Sequence, residues 1–263
     1  MEIIELIILL ILFGAGCGAG ISVSIASGTA SPLVLPLLTT IVSLSIHQAI
    51  NVSLFVDCII GLTAGSLFFL HEHVDTKKIP FIAIPGGIGA LIGSQLTTKA
   101  SESSLLGIIG LILILLGGNF VIFGIQRNIK KVNQTFSFHF FQDHEVIMMI
   151  ALGLFLGVIS GFLGIGVGAI VALVLIFMFQ IDIKVAIGTS LIVMAIITGC
   201  GVIGHGFYGI ILHWSLLPLG IGAILGSVIG SLFASKIPEG LLGRVIGLII
   251  IVFGIIMLVR LFV

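Results

Sequence analysis

The residues of this chain best suited to chemistry lie in two short breaks within long apolar runs. The first break reads Ser27-Gly28-Thr29-Ala30-Ser31-Pro32, and the second reads Gly161-Phe162-Leu163-Gly164-Ile165-Gly166-Val167-Gly168. In the first, Ser31 suits a helix N-cap and Pro32 a first helical position, so a helix is expected from Ser31 to about Ser43. Gly166 and Gly168 let the backbone turn and open a second helix over 169–180. A helix start presents N–H groups without intrahelical partners and a partial positive charge, and both favour an anion. Two such starts facing each other would hold an anion without a buried Arg or Lys, which the apolar runs hardly supply. The candidate substrate-binding positions at the breaks are Ser27, Gly28, Thr29 and Ser31 with Gly164, Gly166 and Gly168; Ser22 and Ser24 add hydroxyls nearby. The competing reading assigns the glycines to helix crossing and the hydroxyls to carbonyls of their own helix.

A second set follows each break. Asn51-Val52-Ser53 and Gly188-Thr189-Ser190 fall about a turn into the next helix, where Asn51, Ser53, Thr189 and Ser190 can point back at the breaks or bond between helices. Asp57 is the one acid set well inside an expected span. Intramembrane carboxylates are costly and face a polar cavity or a partner, so Asp57 is a proton-coupling candidate, with a protonated structural role as the alternative. Its mate in the second half is Met194, so either role belongs to one half only. His205, between Gly204 and Gly206, is the second proton-coupling candidate and is expected to reach an aqueous pathway. No Walker loop, zinc motif or nucleophile elbow occurs, so no catalytic set, metal or cofactor is assigned and an enzyme is not expected. Cys17, Cys58 and Cys200 all sit in apolar segments without metal-ligand spacing and read as buried thiols.

The elements that must position these residues come from composition and from repetition. The chain of 263 residues is 59% hydrophobic and 8% charged, with a mean hydropathy of +1.43, too apolar for a soluble domain. Zero net charge removes any case for nucleic acid as a partner, and the lipid bilayer takes that place. Ala49-Ile50-Asn51-Val52-Ser53-Leu54 returns as Ala186-Ile187-Gly188-Thr189-Ser190-Leu191, and Gly87-Ile88-Gly89-Ala90 returns as Gly220-Ile221-Gly222-Ala223. Spans of ordinary length are expected over 48–70, 79–98, 105–125, 185–203, 214–234 and 241–259. The opening stretches, 3–42 and 146–179, are too long for one span, and each has only about a dozen apolar residues after its break. At ~1.5 Å per residue such a leg reaches near 18 Å, short of a ~30 Å hydrocarbon core, so each opening stretch is expected to turn back as a hairpin.

Positive charges favour the same topology. With both hairpins turning back, Lys77, Lys78, Arg127, Lys130, Lys131, Lys184, Lys236 and Arg244 share one side, against Lys99 and Arg260 on the other. The expected architecture is therefore an all-α integral membrane protein of two inverted repeats, each a Gly/Ser-tipped helical hairpin followed by three transmembrane helices. Its parts are a first repeat over 1–126, a cytoplasmic linker over 127–145 and a second repeat over 146–263, with both termini outside.

With these residues in view, the chain resembles the TauE/SafE family of sulfite exporters, also called the toluene-sulfonate uptake permease family. The resemblance rests on the Gly-rich hairpin at 161–168, the Ala186-Ile187-Gly188-Thr189-Ser190-Leu191 element, and the Gly-x-Gly-Ala-x-x-Gly stretches at 87–93 and 220–226. The first half departs from it, with a serine-rich tip at 27–32 and Asn51-Val52-Ser53 in place of Gly-Thr-Ser. What the resemblance implies is secondary transport of sulfite or another sulfur-containing anion, such as an organosulfonate, coupled to protons, by a multi-pass protein of the cell membrane. A homodimer is a candidate assembly on the resemblance alone. An anion channel using the same broken helices is the alternative.

Overall fold

The computed structural model describes residues 2–123, 145–207 and 213–233, with positions 251, 252, 255, 258 and 259 beyond them. The expected central linker, apart from Glu145, and the rest of the last expected span lie outside the described residues. Among those described, every regular element is a helix: α1 Glu2–Ala26, α2 Ser31–Thr40, α3 Ile46–Leu70, α4 Ile79–Lys99, α5 Glu102–Phe123, α6 Glu145–Leu163, α7 Gly168–Phe177, α8 Ile183–Phe207 and α9 Leu216–Phe233. Six of them, α1, α3, α4, α6, α8 and α9, are long and apolar enough to cross a membrane. Their outward faces carry large apolar side chains such as Leu10, Ile84, Phe155 and Leu217, an arrangement suited to lipid and not to water.

The return legs of the two hairpins are short, as the apolar counts require, whereas the first legs, α1 and α6, are long enough to cross. α2 and α7 have ten residues each. At ~1.5 Å per residue each covers about 15 Å, half of a ~30 Å core. Their turns are copies of each other. Ser27 (φ 50°) and Gly164 (φ 69°) take the left-handed conformation at the tips, and Ser43 (φ 57°) and Gln180 (φ 53°) take it where the return legs end. Those last two residues stop α2 and α7 about three residues before the ends expected from apolarity alone. At both ends the chain is held by the same backbone bond, Leu44 N–H to Leu38 O and Ile181 N–H to Leu175 O, each 3.1 Å.

One helix of each half packs on the hairpin of the other half through bare backbone. A Cβ added at Gly153, Gly157 or Gly161 on α6 would collide with the carbonyls of Ile82, Gly86 and Ala90 on α4. The seam between α1 and α9 repeats the pattern, with Gly16 and Gly20 against the carbonyls of Leu219 and Ala223, and Gly222 and Gly226 against those of Phe13 and Cys17. Small residues at this spacing let helices approach closely where lipid offers no hydrophobic drive for association. The duplicated Gly-x-Gly-Ala stretches are thus the seams that carry the hairpins. α3 and α8, the mates that follow the hairpins, pack on each other between the seams, with Gly61 against Leu191 and Ala195.

The hairpins return to opposite ends of α4. At its C-terminal end, the start of α3 meets α4 and α5: His47 Nε2 lies 3.1 Å from Thr97 O, and Ile46 N–H reaches Glu102 Oε1 at 3.3 Å. At its N-terminal end, Lys78 pairs with Glu145 and lies 5.3 Å over the ring of Phe179, just past α7. The tips therefore approach each other from opposite directions.

Candidate functional site

The two tips touch. Ser31 Oγ donates to Gly164 O at 2.6 Å, and Gly166 N–H donates to Thr29 Oγ1 at 2.9 Å. Ser27 Oγ lies 2.5 Å from Ser190 Oγ on α8, and Ser190 in turn donates to Ile187 O, so the first tip is also tied to the second half's core helix. A Cβ at Gly168 would sit 2.9 Å from Ser27 O, so glycine there answers a close approach of the two chains.

At the meeting point sits the Asp57 carboxylate, fully buried. Its Oδ1 accepts Ala30 N–H at 2.6 Å. Its Oδ2 accepts the Thr29 hydroxyl at 2.8 Å, the Ser31 hydroxyl at 3.1 Å and Gly166 N–H at 3.1 Å. Ser31 has one proton to share between Gly164 O and Asp57, and Ser53 Oγ, one turn before Asp57 on α3, supplies its own to Ser31 Oγ at 3.0 Å. Donors converge unevenly, one on Oδ1 and three on Oδ2 with the Ser31 proton shared, and together they offset the desolvation of a buried charge. The donors converge as the helix starts require, and the negative group they meet belongs to the protein.

Several expected positions move on inspection. The N-cap position of α2 is Ala30, not Ser31, and no side chain caps it. Ser31 is thereby the first helical residue, and its hydroxyl is free to cross to Gly164. The left-handed glycine of the second tip is Gly164; Gly166 is needed for space, because a Cβ there would fall 2.6 Å from Asp57 Oδ2. Thr189 is not at the tips: its hydroxyl accepts Asp75 N–H at 2.9 Å and donates to Val185 O, fastening the loop between α3 and α4. Ser22 bonds the carbonyl of Gly18 in its own helix. His205 lies near the end of α8 with Nε2 3.1 Å from Gly161 O, and it is wholly buried, so the expected aqueous exposure is absent. Asn51 is buried on α3. Gly28 alone among the tip glycines faces open space, with nothing within 4 Å of a Cβ built on it, beside the part-exposed Thr29.

Two contributors were not named as site residues from the sequence. Ala30 acts through its backbone N–H, which leaves no mark in a side-chain pattern. Met194 puts its sulfur 3.0 Å from the Cβ positions of Gly166 and Gly168, where the first half has Asp57. The repeat alignment paired Met194 with Asp57, and that pairing was the available clue.

Broken helices from both halves of a multi-span bundle, meeting at a buried polar centre, define the class of helical membrane transport proteins. The sequence profile of the family described as Sulfite exporter TauE/SafE matches residues 12–257, and the chain belongs to that family. It is similar to two proteins of Bacillus subtilis (strain 168). The probable membrane transporter protein YunE is 23% identical over 214 residues, 78% of each chain. The probable membrane transporter protein YdhB is 25% identical over 232 residues, 86% of this chain and 90% of that protein. No solved structure matches the chain.

Proposed function

We propose that this membrane transporter is a secondary carrier of the cell membrane that moves sulfite or another sulfur-containing anion, such as an organosulfonate, by alternating access. In this reading residues 1–126 and 146–263 are repeats of inverted orientation joined by a cytoplasmic linker over 127–145. The anion is held between the tips at 27–31 and 164–168, with Ser53 and Ser190 supporting them, and the open side at Gly28 is its approach. Proton coupling runs through Asp57.

One observation carries the reading: the amide N–H of Ala30, at the N-cap of one half-helix, and that of Gly166, just ahead of the N-cap of the other, point at a single negative group. Pyramidal sulfite and the sulfonate head both present three acceptor oxygens, which suits a cluster of amide and hydroxyl donors better than a point cation. The family description favours sulfur chemistry, and the names of the two relatives specify no substrate.

The test is flux into liposomes holding the purified protein, screened with sulfite, sulfate, thiosulfate and small organosulfonates, with and without a pH gradient. Saturable counterflow of a sulfur anion, accelerated by the gradient, supports the proposal. Flux without saturation or counterflow indicates an anion channel instead. Flux equal to that of protein-free liposomes for every anion contradicts both.

A further inference from the structure

We infer that the Asp57 carboxylate is a tethered competitor for the substrate: an anion binds at the tips only as this carboxylate leaves them. The inference rests on the tip site proposed above and adds the identity of what the substrate must displace.

Asp57 takes up donors from both hairpins at once, three from the first tip (Thr29, Ala30 and Ser31) and one from the second (Gly166). An incoming oxyanion would need those same amide and hydroxyl hydrogens. It would also meet a carboxylate at contact distance, and like charges in one buried site exclude each other. The carboxylate is nevertheless not what joins the tips. Ser31 to Gly164 and Ser27 to Ser190 connect the two halves without passing through Asp57, whereas the single Gly166 N–H is shared between Thr29 Oγ1 and Asp57 Oδ2. Rotation of the Asp57 side chain can therefore expose Ala30 N–H and Gly166 N–H while the hydroxyl contacts keep the tips in register. A Cβ at Gly28 would meet nothing within 4 Å and Gly28 is half-buried, so this is the side from which an anion would enter. The second half holds the uncharged Met194 at the corresponding place, so the site has one tethered charge, and one anion entering displaces one carboxylate.

The test measures anion binding to the full-length protein in nanodiscs, using wild type, Asp57→Ala and Asp57→Asn. Formate is the first probe, because it restores the missing carboxylate whatever the natural substrate is. If the tethered group occupies the donors about nine-tenths of the time, its removal tightens formate binding roughly 10-fold. Asp57→Ala is expected to show that gain together with a melting temperature raised by formate, and Asp57→Asn a smaller gain, since its amide oxygen still accepts from Ala30. Formate binding no tighter than wild type in both variants would overturn the inference. So would lowered melting temperatures in both that formate does not restore, which would make Asp57 a strut. Methanesulfonate and sulfite are then titrated against the same proteins. If formate binds Asp57→Ala and neither sulfur anion does, competition stands and the sulfur-anion reading fails. If the sulfur anions bind all three proteins equally, the inference fails and the sulfur-anion reading stands.

Discussion

Gly166, two residues past the tip residue Gly164, and Gly28, one past Ser27, give opposite expectations on substitution, and the contrast tests the site's geometry. A methyl group at Gly166 would lie 2.6 Å from Asp57 Oδ2, 2.9 Å from its Cγ and 3.0 Å from Met194 Sδ. Carbon contacts are comfortable only near ~3.5 Å, so the tip and the carboxylate must part by most of an ångström. That separation stretches the 3.1 Å bond from Gly166 N–H to Asp57 past useful length. Overpacking of this kind costs ~1–3 kcal/mol, and a hydrogen bond to a charged group contributes ~1.5–3 kcal/mol, so Gly166→Ala should destabilise by roughly 3–5 kcal/mol. For a chain of this size that corresponds to a drop in melting temperature on the order of 10 °C. At Gly28 a Cβ meets nothing within 4 Å. Gly28→Ala should therefore change stability by less than ~0.5 kcal/mol. Gly28→Leu should keep most of the stability while filling the approach to the tips and stopping flux. Thermal unfolding of purified proteins, paired with sulfite flux in liposomes, reads both effects. A Gly166→Ala protein as stable and active as wild type, or a Gly28→Leu protein that transports normally, would refute the reasoning.

Other substitutions have expected outcomes of their own. Ser31→Ala leaves the buried Gly164 carbonyl without its 2.6 Å donor. It should cost ~1–3 kcal/mol by thermal unfolding and weaken sulfite binding, whereas unchanged binding would separate Ser31 from the site. Gly157→Ala drives a methyl group into the Gly86 carbonyl across the α4–α6 seam, while Gly18 has open space. Only the first should lower the melting temperature. Thr189→Val removes the acceptor for Asp75 N–H. It should lower stability and leave anion affinity alone, since Thr189 lies away from the tips; a large loss of affinity would return it to the site. Methanesulfonate does not titrate near neutral pH, so pH dependence of its flux reports the protein. Protonation of Asp57 removes the competing charge, so wild-type flux should rise as pH falls, and Asp57→Asn should flatten the profile.

Much of the fold was legible because lipid imposes simple rules on sequence. Apolar runs gave the spans α3, α4, α8 and α9, and the dozen apolar residues after each break marked α2 and α7 as half-length legs. By contrast α1 and α6, expected only as hairpin legs, are themselves long enough to cross. The duplicated glycines at 87–93 and 220–226 marked the repeat, but not that each stretch forms a seam joining one half to the other half's hairpin. Within the site, resolution by one residue was the limit. Thr189 and Ser190 are neighbours, but on a helix they point about 100° apart, so one fastens a loop and the other meets Ser27. Ser31 and Ala30 differ in the same way, because a cap position depends on where the chain first becomes helical. The identity of the group between the tips was hidden for another reason. Asp57 bonds partners 26, 27, 28 and 109 residues away, and two of those are backbone amides that any residue would supply.

The most direct measurement is the position of a bound anion. Selenate or selenite, heavier stand-ins for the sulfur oxyanions, would give an anomalous scattering peak in crystals of the protein soaked or grown with them. That peak is expected between residues 27–31 and 164–168, within hydrogen-bond distance of Ala30 N–H and Gly166 N–H, with the Asp57 side chain turned away. A peak elsewhere, or one beside an Asp57 still holding both amides, would contradict it.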